Sequence, residues 1–141
     1  MVLPSQAAAL ARLGTGAEFM KRINEPIRAK ITENLAQAKE ARLRADWLEC
    51  WQLLEDAHVL SQPWVRAHVR VHASMLMTGW HARDVREIRG QIVRLLAGGP
   101  ASALGRYPVG NTGRARVSAI RPMPVRPDLA AILAEAGQPT A

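Results

Sequence analysis

Three histidines fall within fifteen residues, His58, His68 and His72, and Glu55 precedes the first of them by three positions. Positions three or four apart share a helix face, so Glu55 with His58 and His68 with His72 each have the spacing of a two-ligand metal clip. Between the pairs lies Ser61-Gln62-Pro63, which turns a chain rather than continuing a helix. Antiparallel helices about that turn bring residues equidistant from it face to face, setting His58 and Glu55 near the level of residues 66 to 69. His68 lies in that window and His72 about 5.4 Å of rise beyond it, so three imidazoles and a carboxylate are expected to converge. Such a set suits zinc, iron, copper or nickel without selecting among them. The candidate metal ligands are therefore His58, His68 and His72, with Glu55 as a fourth ligand or as the group that orients one.

The same side chains also admit a purely structural use, in which Glu55, His58, Arg66, His68 and Arg70 form a paired network that locks the hairpin. A glutamate followed three residues later by histidine occurs in carboxylate-bridged di-iron bundles, but those need the motif on two helices, and one copy is present. Cys50 lies two turns before His58 on nearly the same face and is either a soft ligand, a redox-sensitive thiol or, between Trp47 and Trp51, part of the core. His81 reads as an exposed loop residue. No nucleophile elbow or glycine-rich phosphate loop is present, and Gly110-Asn111-Thr112-Gly113 is too short to cradle a phosphate. No catalytic residue is assigned, and enzymatic chemistry is open only through metal-bound water.

The elements that must position these residues are helical. Thr15 with Glu18 predicts a short first helix through Ile23, and Asn24 with Pro26 starts a second, whose Ile27, Ile31, Leu35 and Ala38 share one face as far as Leu43. Asp46 with Glu49 opens a third helix carrying Trp47, Trp51, Leu54 and His58. The fourth, from Trp64 to about Trp80, is apolar nearly all round and is expected to be the most buried. Asp84 with Glu87 opens a fifth, bearing Val85, Ile88, Ile92 and Leu95, which Gly98-Gly99-Pro100 should close. The two D-x-x-E starts lie 38 residues apart, so the middle of the chain reads as two stacked helical hairpins, loosely tetratricopeptide-like. Beyond Pro100, frequent glycine and proline predict an extended arm that wraps back over the bundle on Val117, Ile120, Met123 and Val125. Asp128 is then expected to cap a short helix from Leu129 to Ala136. The fold class is thus all-α, a compact bundle of about four to five helices: an N-terminal extension over 1–24, a hairpin core over 25–100 and an arm over 101–141.

A chain of 141 residues fits one domain, and a single cysteine excludes an internal disulfide and a four-cysteine zinc site. No signal peptide and no run of apolar residues long enough for a membrane span is read, so a cytoplasmic protein is expected. The formal charge of +7 belongs to the second half: residues 26–62 carry five basic and six acidic side chains, residues 63–141 eleven basic and four acidic. Nearly all of it is arginine, which suits an acidic protein partner. Without interleaved aromatics to stack on bases, nucleic acid is not favoured. The two functional readings are a metal-binding helical protein and a non-enzymatic interaction module with a basic surface, and a homo-oligomer fits either.

The ordered runs His58-Val59-Leu60-x-Gln62, His68-Val69-Arg70-Val71-His72, Met75-Leu76, Gly110-Asn111-Thr112-Gly113 and Pro122-Met123-Pro124 resemble the bacterial family catalogued as domain of unknown function 3703, over about Ile27 to Leu133. The resemblance implies a small helical protein without an assigned activity, sometimes encountered near metal-resistance genes. The family pattern usually has glycine where this chain has Ser61 and Arg114, which bears on the geometry of the turn and of the arm.

Overall fold

The computed structural model describes residues 23–141, apart from the side chains of residues 98–103. Five helices follow in order: α1 (Glu25–Leu43), α2 (Trp47–Ser61), α3 (Val65–His81), α4 (Val85–Ala103) and α5 (Pro127–Glu135). There is no strand among the described residues. α1 pairs with α2 and α3 with α4, the two hairpins meet through α2 and α3, and α5 lies across α1 and α2. The expected first helix over Thr15–Ile23 falls almost entirely outside the described residues.

The helix starts are set by local chemistry. Asn24 accepts the backbone N–H of Ile27, with Pro26 in the first turn, and Asp46 accepts that of Glu49. Asp84 repeats the device by accepting from the backbone N–H groups of Arg86 and Glu87. The turn within each hairpin, α1 to α2 and α3 to α4, places a non-glycine residue at positive φ, Ala45 at 57° and Arg83 at 55°. In each turn the aspartate's own N–H bonds back to the preceding helix, Asp46 to the Ala41 carbonyl and Asp84 to that of Gly79, both at 2.9 Å. The two hairpins are therefore built on one turn used twice. Because those N–H groups are already taken, neither glutamate folds back in a reciprocal cap. Glu49 pairs with Arg44, and Glu87 turns inward.

The apolar core lies in the first hairpin, its neighbour α3 and the C-terminal helix. Ile27, Ile31, Leu35 and Ala38 of α1 meet Cys50, Trp51, Leu54 and Leu60 of α2, Val71 and Met75 of α3, and Leu129 and Leu133 of α5. Each large side chain fully buried there contributes roughly 1.5–3 kcal/mol. Cys50 belongs to this core: burial raises its thiol pKa, and its Sγ lies 3.6 Å from Thr78 Oγ1. The inward face of α4 is different, since Glu87 and Gln91 are fully buried on it. That side of the bundle is closed by a polar network with the arm.

Four expectations are corrected. α3 is not buried all round, because Trp80 is 69% exposed and Met77 and Val69 also reach solvent. α4 runs through Gly98-Gly99-Pro100 to Ala103, since glycine and proline weaken a helix without forbidding its dihedrals. Ile120 does not anchor the arm, being 85% exposed, whereas Val125 packs on the core. Asp128 does not cap α5: Pro127 occupies the first turn, Arg126 is the capping residue, and Asp128 pairs with the Arg126 guanidinium at 2.7 Å.

Candidate metal centre

His58 stands near the C-terminal end of α2, and His68 and His72 one turn apart near the start of α3, where the Ser61–Trp64 turn brings the two helices together. All three side chains are buried. Their Nε2 atoms form a small triangle: His58 to His68 at 2.8 Å, His68 to His72 at 3.0 Å and His58 to His72 at 3.2 Å. The rings meet edgewise or tilted, with centroids 4.6–4.7 Å apart, so they present nitrogens to one another rather than stacked faces.

The outer nitrogens fix how the rings are protonated. His58 Nδ1 lies 2.7 Å from the backbone carbonyl of Asn111, which can only accept, so Nδ1 carries the proton and Nε2 the lone pair. His72 Nδ1 lies 2.7 Å from Gln91 Oε1. The Gln91 amide is oriented by its own donors, which go to Glu87 Oε2 at 3.2 Å and the Gly113 carbonyl at 3.0 Å. Its oxygen therefore faces His72, and His72 also presents a bare Nε2.

Burial keeps the cluster uncharged. Desolvation, reinforced by the other two histidines, holds His58 well below the ordinary histidine pKa. Desolvation, with His72 and Arg94 nearby, pushes His68 down to about 3. His72 falls to about 4 through burial, although its bond to Gln91 favours the charged form.

The arm completes the centre. Gly110-Asn111-Thr112-Gly113 lies against His58. The Asn111 amide donates to the carbonyls of Ser118 at 2.7 Å and Arg121 at 2.8 Å, while its oxygen accepts the Gly113 N–H at 3.0 Å. The two glycines are required by close approach as well as by backbone angle. Gly113 has φ +78°, and a Cβ there would stand 2.5–2.7 Å from atoms of the His58 ring; Gly110 has φ +74°, and its Cβ would strike the Met123 carbonyl.

Glu55 does not join the imidazoles. Its carboxylate pairs with Arg114 at 3.0 Å, and the same guanidinium bonds the fully buried Glu87 at 2.7 Å and lies 3.8 Å over the Trp51 ring. Three residues along a helix are about 60° out of line and about 4.5 Å away in rise, and Arg114 takes the carboxylate where it stands. Arg66 and Arg70 are exposed, so the paired network expected for the hairpin does not form; its place is taken by Glu55, Glu87 and Arg114. Cys50 is remote from the triangle. His81 ends α3, exposed, with its Nδ1 donating to the Met77 carbonyl at 2.8 Å.

Sequence reasoning missed the residues that hold the rings: Gln91, Asn111, Gly113 and Glu87. The available signal was Glu87 and Gln91 one turn apart on the inward stripe of α4, where an amphipathic helix carries apolar residues. Ser61, where the resembled pattern has glycine, is buried and donates to the His58 carbonyl at 3.0 Å.

A cavity of about 210 Å³ opens onto the three rings, between α4 and the arm. Among groups of histidine, cysteine and carboxylate side chains in the described residues, His58, His68 and His72 are placed to share an ion. No helix among the described residues is long and apolar enough to cross a membrane. No curated protein and no solved structure matches the chain. Residues 25–133, which include the whole histidine triangle, the α4 residues behind it and the GNTG turn, match the model of the family described as "Protein of unknown function (DUF3703)", and the chain belongs to that family.

Proposed function

We propose that the protein binds one transition-metal ion on the Nε2 atoms of His58, His68 and His72, as a metal-handling or metal-resistance accessory. The observation that carries this reading is the facing of nitrogen lone pairs, with His58 and His72 Nε2 3.2 Å apart and each Nδ1 proton engaged elsewhere. Such a contact is repulsive unless a positive centre faces both nitrogens, either a cation or a shared N–H from His68 Nε2 at 2.8 and 3.0 Å, and burial disfavours an added proton there. A metal takes up the lone pairs of His58 and His72 at once, together with that of His68 when its proton is on Nδ1. With metal–nitrogen bonds of about 2.1 Å, nitrogens about 3.0 Å apart subtend about 90° at the ion, the angle of three neighbouring positions in an octahedron. A tetrahedral ion needs nitrogens about 3.3–3.4 Å apart, which a shift of a few tenths of an ångström supplies. Iron, nickel, copper and zinc therefore all remain suited to the set. The backbone carbonyl behind His58 and the amide behind His72 are the kind of outer partners that metal-binding histidines have.

Elemental analysis of untagged protein tests the proposal. One metal per chain is expected, lost when His58, His68 and His72 are all replaced by alanine. No stoichiometric metal in metal-supplemented buffer, with stability unchanged in the triple variant, defeats it.

A second reading is favoured by the outer surface of α3 and α4. Arg66 and Arg70 near the start of α3, and Arg83, Arg86 and Arg89 at the α3–α4 turn and the start of α4, are exposed and form no ion pair among the described residues, and Trp80 and Val85 near that turn are exposed as well. That surface suits an acidic protein partner. Salt-sensitive co-purification of one defined acidic protein, abolished by reversing the charge of Arg66, Arg70 and Arg86, supports it; no retained partner at low ionic strength removes it.

A further inference from the structure

The cavity beside the histidines carries a charge pattern that the metal reading leaves unused. Its mostly apolar lining includes two arginines, Arg94 and Arg106, and no aspartate or glutamate among the described residues. Arg94 is half-buried. Its Nη2 donates to the carbonyls of Arg114 and Val117, both at 2.8 Å, and the side chain forms no ion pair among the described residues. Arg106 is exposed at the solvent side of the cavity and makes no hydrogen bond or ion pair among the described residues. Tyr107, half-buried beside them, adds a hydroxyl without a hydrogen-bond partner among the described residues. Apart from the histidines, Gln62 and Asn111, the rest of the wall is apolar, with Val93, Ala97, Pro108 and Ile120.

A divalent ion on three neutral imidazoles, with these two arginines alongside, concentrates positive charge in the cavity, while Glu87, the carboxylate that acts on Arg94, is paired with Arg114 and does not line the wall. A partly desolvated cation of that kind is stabilised by a carboxylate, which guanidinium binds through a planar fork. Three imidazoles also leave coordination positions open, as centres that receive an external ligand do. The size is restrictive. A cavity of about 150 Å³ holds benzene, so about 210 Å³ takes one ring or a short branched chain together with its acid group.

We infer that the metal centre receives a small organic carboxylate from this cavity, its acid group between the metal and Arg94 with Arg106, and its compact apolar body against Val93, Ala97, Pro108 and Ile120. This inference rests on metal binding at His58, His68 and His72, and the experiment separates the two. Untagged protein is loaded with cobalt(II), its metal content is measured, and its visible bands are followed while benzoate is added, with benzyl alcohol and inorganic phosphate as comparisons. Benzoate is expected to shift the bands saturably, and benzyl alcohol to leave them unchanged. Arg94→Gln and Arg106→Gln should each weaken benzoate about tenfold with one cobalt still bound per chain. Arg106→Gln serves as the decisive variant if loss of the Arg94 bonds loosens the arm. Cobalt bound normally but bands unmoved by benzoate, moved equally by phosphate, or moved with unchanged affinity in both variants overturns the inference and leaves the metal reading standing. Failure to bind cobalt or any of iron, nickel, copper and zinc overturns both.

Discussion

His72 and Gln91 meet at 2.7 Å, Nδ1 to Oε1, inside the bundle, and that contact turns the bare nitrogen of His72 toward His58 and His68. Gln91 is itself held by Glu87 and the Gly113 carbonyl, so α4 and the arm together set the direction of a ring carried by α3. Replacing Gln91 with leucine removes the acceptor while keeping the helix. Metal affinity, measured by competition with a chromogenic chelator, should fall about 10–100-fold, the usual effect of losing such an outer partner. Unchanged affinity would show that the ring is positioned without it.

Gly113 tests the same centre from the arm. Alanine there meets both a positive φ of +78° and the His58 ring at 2.5–2.7 Å. Gly113→Ala should destabilise the metal-free protein by on the order of 2 kcal/mol or more in urea unfolding. It should also abolish stoichiometric metal binding, because His58 must move. A variant of full stability that still loads metal would mean that the turn is free to retreat.

The pKa values predict how acid acts on the metal-free protein. Folded His68 and His72 stay neutral down to about 3 and about 4, whereas in the unfolded chain they take up protons near 6.5. Below 6.5 the unfolded state therefore binds more protons and gains. Stability is complete above about pH 6.5 and is lost as pH falls toward about 4. The slope is up to about 1.4 kcal/mol per pH unit for each histidine that is protonated only on unfolding. Denaturant midpoints between pH 7 and pH 4 read this directly. In the triple alanine variant that part of the slope should disappear.

Glu55 separates the ligand set from its surroundings. Because its carboxylate is held by Arg114, Glu55→Gln should leave one metal per chain, with affinity changed less than about threefold. Arg114→Ala strands the fully buried Glu87 carboxylate and should cost about 3–5 kcal/mol of stability. A large loss of metal in Glu55→Gln would restore Glu55 as a ligand.

Much of the framework was legible in the residues because it depends on local chemistry. Asn24 with Pro26, Asp46 and Asp84 mark three helix starts, and the histidine spacing about Ser61–Pro63 anticipates that the three rings meet. The rest depends on partners distant in the chain. His58 finds its acceptor at Asn111, 53 residues on, and Glu55 finds Arg114, 59 residues on. No helical periodicity carries such pairings. Apolar residues nearly all round α3 do not bury it all round, since Trp80 and Met77 are exposed.

Metal binding at this centre requires three imidazole nitrogens to share one ion. Crystals of the metal-loaded protein, with diffraction data recorded on either side of the metal's absorption edge, locate that ion directly. The predicted result is one anomalous peak per chain, about 2.0–2.2 Å from Nε2 of His58, His68 and His72. A fully loaded protein whose peak lies elsewhere, with the three rings still facing one another, would contradict it.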